Sequence, residues 1–157
     1  MTLQAKLLAA AAVIACVAAS GPVLAQDATE HITVYVLRGE QAPKGPDGRS
    51  HDMIMPANFV LKVGVPVDLT IINYDEGAHT ITSTGMKLDI AIKAGDQQAD
   101  GSVTPVTTEY TFTPTATGKF RWNCNVQCDK GGKFWAMSKG YDGMGQDGYM
   151  AGYFVVI

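Results

Sequence analysis

Apolar and β-branched residues recur along this chain with a period of two, in short runs broken by glycine, proline and acidic turns. His31–Leu37 (H-I-T-V-Y-V-L) alternates and reads as a strand. Arg38–Asp52 is polar and holds Pro43, Gly45, Pro46 and Gly48, the chemistry of a loop. The apolar runs Asn58–Val63 and Val67–Asn73 flank Gly64-Val65-Pro66 and predict two strands joined by a tight turn. Asp75-Glu76-Gly77-Ala78 is a further turn, and it delivers His79 to the start of a strand over Thr80–Thr82. Leu88–Ile92 reads either as a short strand or as part of a long connection, and Gly95–Gly101 as loop. Thr107–Thr113 alternates and carries Tyr110 and Phe112, after which Pro114–Gly118 turns the chain into a strand over Lys119–Asn123. There Phe120, Trp122 and Cys124 share parity, so a pleat that buries the two aromatics aims Cys124 the same way. Ala151–Ile157 (A-G-Y-F-V-V-I) closes the chain as an apolar strand. No helical period competes with these runs, and no repeat or second domain is visible. Many short strands at regular spacing predict an all-β antiparallel sandwich.

The first residues follow a different logic. Only Lys6 is charged before Gln26, an apolar run extends over Leu7–Ala19, and Gly21-Pro22 precedes Val23-Leu24-Ala25. That layout predicts a secretory signal peptide over residues 1–25, cleaved after Ala25, too short and too soon broken for a stable membrane span. One domain, residues 26–157, follows, with no transmembrane span in the mature chain and a periplasmic or otherwise exported destination. A rival processing route rests on Val13-Ile14-Ala15-Cys16, which resembles a bacterial lipoprotein box and would leave a lipid anchor on Cys16. The formal net charge is −3 and becomes one unit more negative when Lys6 is removed. With no basic cluster, the charge gives no support to nucleic acid or anionic membrane as partner, and no nucleic acid is expected.

Candidate chemistry gathers in Gly118–Trp135 (G-K-F-R-W-N-C-N-V-Q-C-D-K-G-G-K-F-W). Cys124 ends the predicted core strand and Cys128 follows four residues on, where Gly131 and Gly132 argue against a regular element. Two sulfurs on one short loop suit a soft metal. They also suit a disulfide, since an exported chain meets an oxidising compartment.

These residues resemble the cupredoxins, the small copper-binding β-sandwiches. The resemblance rests on the turn holding Asn73, Asp75 and His79, on G-K-F-R-W-N-C, and on the terminal M-A-G-Y-F-V-V. It implies a Greek-key antiparallel β-sandwich with copper as cofactor, and His79, Cys124 and Met150 as imidazole, thiolate and axial thioether ligands. A second local resemblance is to the dinuclear copper domain of cytochrome c oxidase subunit II, through Gly85-Met86-Lys87-Leu88-Asp89 and the Cys124/Cys128 pair. Both families place a second histidine after the first cysteine, and this chain has none after His79. The subunit II histidine falls on Gly132 and its methionine on Trp135. The usual dinuclear site is therefore not expected, and an ordinary two-histidine site would need His31 or His51 to fold in. Cys128 and Met137 are the candidates to fill the gap, and such additional soft donors would favour Cu(I).

Some residues carry two readings. His51-x-Met53-x-Met55 is either a surface patch for capturing copper or a plain loop entering a strand. Asp75, Glu76 and Asp129 read as solvated turn acids, although Asp129 could complete a Cys/Cys/His/Asp zinc site. No nucleophile motif, phosphate-binding glycine loop or H-E-x-x-H is present, so no enzyme is expected. The expected function is one-electron transfer through a modified mononuclear copper site, with a redox or copper-exchange protein as partner. The rivals are a periplasmic copper chaperone or store, and a metal-free interaction module closed by a Cys124–Cys128 disulfide.

Overall fold

The computed structural model describes residues 29–44, 50–126 and 150–157. The signal segment, Cys16, Cys128, Asp129, Gly132, Trp135 and Met137 lie outside the described residues. Eleven strands are described: β1 (Glu30–Leu37), β2 (Met53–Met55), β3 (Asn58–Leu61), β4 (Val67–Asn73), β5 (His79–Ser83), β6 (Leu88–Ile92), β7 (Asp96–Gln97), β8 (Val103–Thr104), β9 (Val106–Phe112), β10 (Gly118–Asn123) and β11 (Ala151–Val156). One sheet has the order β2-β1-β4-β9 and the other β3-β11-β10-β5-β6, with β7 and β8 forming a small ribbon. Among the described residues no helix is long and apolar enough to cross a membrane.

The two larger sheets face each other in an all-β sandwich. Period-two burial is clearest in β4, where Val67, Leu69, Ile71 and Asn73 are buried and the residues between them are half-exposed. Val34, Val36, Leu69 and Ile71 from the first sheet and Ile81, Ile90, Trp122 and Phe154 from the second belong to one buried cluster. Phe112 meets Phe154 edge-on across the core, with ring centroids 5.9 Å apart. Phe59 lies between Trp122 and Phe154, at 6.2 Å and 5.0 Å. Burying each such side chain contributes roughly 1.5–3 kcal/mol, so this aromatic group is a main part of what holds the sheets together.

Three features depart from the expected strands. The sheets are mixed, because β1 pairs with β4 and β3 with β11 in parallel. The turn at Gly64-Val65-Pro66 is a corner between sheets, since β3 and β4 belong to different ones. Gly64 adopts φ 78°, its N–H reaches the Pro114 carbonyl at 2.8 Å, and Pro66 has no N–H to extend a ladder. Finally, the predicted loop after Gly95 contains β7, which pairs with β8, and β2 is a separate short strand that pairs with β1 ahead of Asn58.

Register then positions the chemistry. β10 runs antiparallel to both neighbours, with Asn123 opposite Ala151 of β11 and Thr82 of β5. The end of β10 therefore meets the beginning of β11, and the chain leaving β10 runs on past Thr80 toward the beginning of β5. Those three strand ends carry Cys124, His79 and Met150.

Candidate metal centre

His79 is presented by a turn that is hydrogen-bonded throughout. The Asn73 side chain accepts from the Asp75 N–H at 2.9 Å and donates from Nδ2 to the carbonyls of Gly77 and Lys93, both at 2.8 Å. The Gly95 N–H donates to the Asp75 carbonyl at 2.8 Å. Thus fixed, the Asp75 carboxylate accepts through Oδ2 from the Gly77 N–H and stands 2.9 Å from His79 Nε2. Both side chains are removed from water, at 4% exposure for Asp75 and 1% for His79. This corrects the reading of Asp75 as a solvated turn acid: the turn folds inward because its polar groups find partners on the segment around Lys93 and Gly95.

With Nε2 engaged, the other ring nitrogen is exceptional. His79 Nδ1 is buried and has no hydrogen-bond partner among the described residues. A buried nitrogen of this kind ordinarily finds a donor, an acceptor or a metal.

Cys124 lies beside it. Its side chain is fully buried, its N–H donates to the Met150 carbonyl at 2.8 Å, and its sulfur accepts from the Thr80 N–H at 3.4 Å. The thiol also contacts the Val126 carbonyl at 3.5 Å. The Asn125 N–H donates to Thr80 Oγ1 at 2.8 Å, so the chain leaving β10 is tied to the start of β5 on both sides of the sulfur. Met150 is fully buried, and its main chain adjoins that of Cys124.

Electrostatics couple the pair. Burial alone would pull the His79 ring toward its neutral form. The Asp75 hydrogen bond, the Cys124 sulfur and the carboxylate's charge outweigh burial, and the pKa is pushed up from 6.5 to about 9. For Asp75, burial works to raise the pKa, but hydrogen bonds from His79 and Gly77 prevail and hold it below 3.8. A raised histidine pKa contributes stability that is complete below the unfolded value and disappears as pH climbs through the folded one. Chelator-treated protein should therefore lose urea resistance progressively between about pH 6.5 and 9. His79→Gln should remove this slope; an unchanged slope in that variant would show that another group produces it.

The other sequence-predicted donors are placed as follows. Cys128 and Met137 lie outside the described residues. His31 is exposed on β1 and stands 3.5 Å from Asp68, so it does not supply the second imidazole beside His79. His51 is 2% exposed, whereas Met55 is 42% exposed. The proposed surface patch of His51, Met53 and Met55 therefore does not present its histidine to solvent. Among the described residues no three His, Cys, Asp or Glu side chains gather as a metal-holding group. The donors brought together are one imidazole nitrogen and one sulfur, with the buried Met150 adjoining. Their chemistry fits a soft or borderline metal such as copper.

No protein-family model matches the chain, and no curated protein matches it. Solved structures that it resembles include the metal-binding domain of the Cu(I)-exporting P-type ATPase CopA of Streptococcus pneumoniae D39, with Cu(I). That match has 15% identity over 84% of this chain and 89% of the other, with a TM-score of 0.46. Rusticyanin from Thiobacillus ferrooxidans matches at 19% identity over 82% and 77%, with a TM-score of 0.45. Copper nitrite reductase from Nitrosomonas europaea matches at 17% identity over 82% of this chain and 41% of that one, with a TM-score of 0.48.

Proposed function

We propose that this chain is an exported copper-binding protein that passes single electrons to a protein partner. The observation that carries the reading is the buried Nδ1 of His79, left over by the Asp75 hydrogen bond and lying beside the buried sulfur of Cys124. His79, Cys124 and Met150 would hold the metal, with Cys128 and Met137 as the further donors that replace a second histidine. When bound, copper supplies a one-electron couple between Cu(II) and Cu(I).

Each residue has a distinct part. Asp75 occupies Nε2, so His79 offers Nδ1 to the metal. The Thr80 N–H stabilises negative charge on the Cys124 sulfur, and the sulfur's complete burial excludes water from it. Met150 contributes a thioether, weaker than thiolate or imidazole and soft enough to favour the reduced metal. The chain's negative charge would steer a basic partner. No catalytic step on a substrate forms part of the proposal.

Adding copper to the purified, mildly reduced protein and recording its visible spectrum tests this. An intense sulfur-to-copper band that bleaches reversibly on reduction supports the electron carrier. Tight Cu(I) binding without colour transfers the same residues to a chaperone or store. Failure to take up copper leaves the metal-free interaction module with its Cys124–Cys128 disulfide.

A further inference from the structure

We infer that Asp75 is a positioning and tuning residue, whose carboxylate on the far side of His79 biases the site toward oxidised copper. The inference rests on the copper reading and adds to it. Soft sulfur donors favour Cu(I), so a site rich in them would hold the reduced metal and exchange it slowly with oxidants. A carboxylate bonded to the outer nitrogen of a ligand imidazole acts in the opposite direction: it makes the ring a stronger donor and brings negative charge toward the metal. The additional charge stabilises a dication more than a monocation. Asp75 thus offsets the sulfurs and keeps both oxidation states within reach.

The geometry is specific to this purpose. Asp75 Oδ2 stands 2.9 Å from Nε2 and is held there by the Gly77 N–H. Asn73 braces the turn from both ends. A Cβ built on Gly77 would lie 2.8 Å from Asp75 Oδ2 and 3.7 Å from His79 Nε2, so the carboxylate reaches the ring through space that only glycine leaves open. The φ of Gly77 is not positive. Alanine there would consequently move the carboxylate without straining the backbone.

The test uses wild-type protein, Asp75→Asn and Gly77→Ala, with Cu(II) and Cu(I) dissociation constants measured separately by competition with chromophoric chelators. Asparagine can still accept from Nε2–H, so it retains orientation and removes charge. In Asp75→Asn the preference should move toward Cu(I) by roughly tenfold, the lower end of what loss of an outer partner costs in metal affinity, falling here chiefly on Cu(II). That corresponds to a potential about 59 mV higher for a one-electron couple. Gly77→Ala, which retains the charge but displaces it, should move the ratio in the same direction by less, and it decides the matter if Asp75→Asn does not fold. Equal weakening of both oxidation states, with the ratio unchanged, would overturn the tuning role while leaving the copper site intact. Absence of copper binding in the wild type would overturn both.

Discussion

Cys124→Ser should give a folded protein that no longer takes up copper. Serine is close in volume to cysteine and can retain the contacts at the Thr80 N–H and the Val126 carbonyl, so the end of β10 has no reason to unravel. What disappears is the soft, readily ionised donor. A serine hydroxyl stays protonated at neutral pH and is a poor partner for Cu(I). The expected loss of affinity exceeds the roughly 10–100-fold that outer partners of a metal site produce, because this change removes a ligand itself. Met150→Leu is the matched comparison, since it retains apolar volume and removes only the thioether. It should preserve binding while altering spectrum and potential. Copper stoichiometry by equilibrium dialysis, with circular dichroism to verify folding, separates the two. Equal loss in both variants would mean that Met150 is more than a weak axial donor, and full copper loading of Cys124→Ser would remove the proposed site.

The second large effect concerns the frame. Gly152→Ala should destabilise the protein by about 3 kcal/mol or more, the severe end of overpacking. A Cβ at this position would overlap the carbonyl oxygen of Ala57 and lie 2.6 Å from its carbon and 3.0 Å from Cζ2 of Trp122. Neither neighbour can withdraw cheaply. The Ala57 carbonyl accepts from Trp122 Nε1 at 2.9 Å and from the Tyr153 N–H at 3.2 Å, and Trp122 is fully buried against Phe59. Relief would have to come from separating β3 from β11, which would expose the aromatic cluster. Urea unfolding measures the loss, and amide exchange at Phe59 and Tyr153 should locate it. A change under about 0.5 kcal/mol, typical of indifferent surface sites, would show that the clash is absorbed elsewhere.

Much of this architecture was legible in local pattern. The shared parity of Phe120, Trp122 and Cys124 correctly predicted a buried cysteine at the end of a strand, and the Asp75–Ala78 turn correctly placed His79 at the start of one. These features depend on side-chain alternation, which a strand expresses within a few residues. Asp75 was misread because its burial depends on the Lys93 carbonyl and the Gly95 N–H, and no local pattern announces partners so distant along the chain. The i,i+4 spacing of Asp75 and His79 around Gly77 was the available signal. The corner at Gly64 was misjudged for a related reason, since a hairpin and a change of sheet begin with similar strands and similar turn residues. Of the two readings of His51-x-Met53-x-Met55, the loop entering a strand is the one found, with β2 at Met53–Met55 and His51 buried just before it.

The meeting of three strand ends also governs which changes of chain length the site can survive. Met150, Cys124 and His79 follow one another across adjacent strands, in the order β11-β10-β5. The alignment of Cys124 with Met150 is thus indexed by ladder pairing between β10 and β11. A single insertion inside β10 would invert every side chain beyond it and direct the sulfur outward.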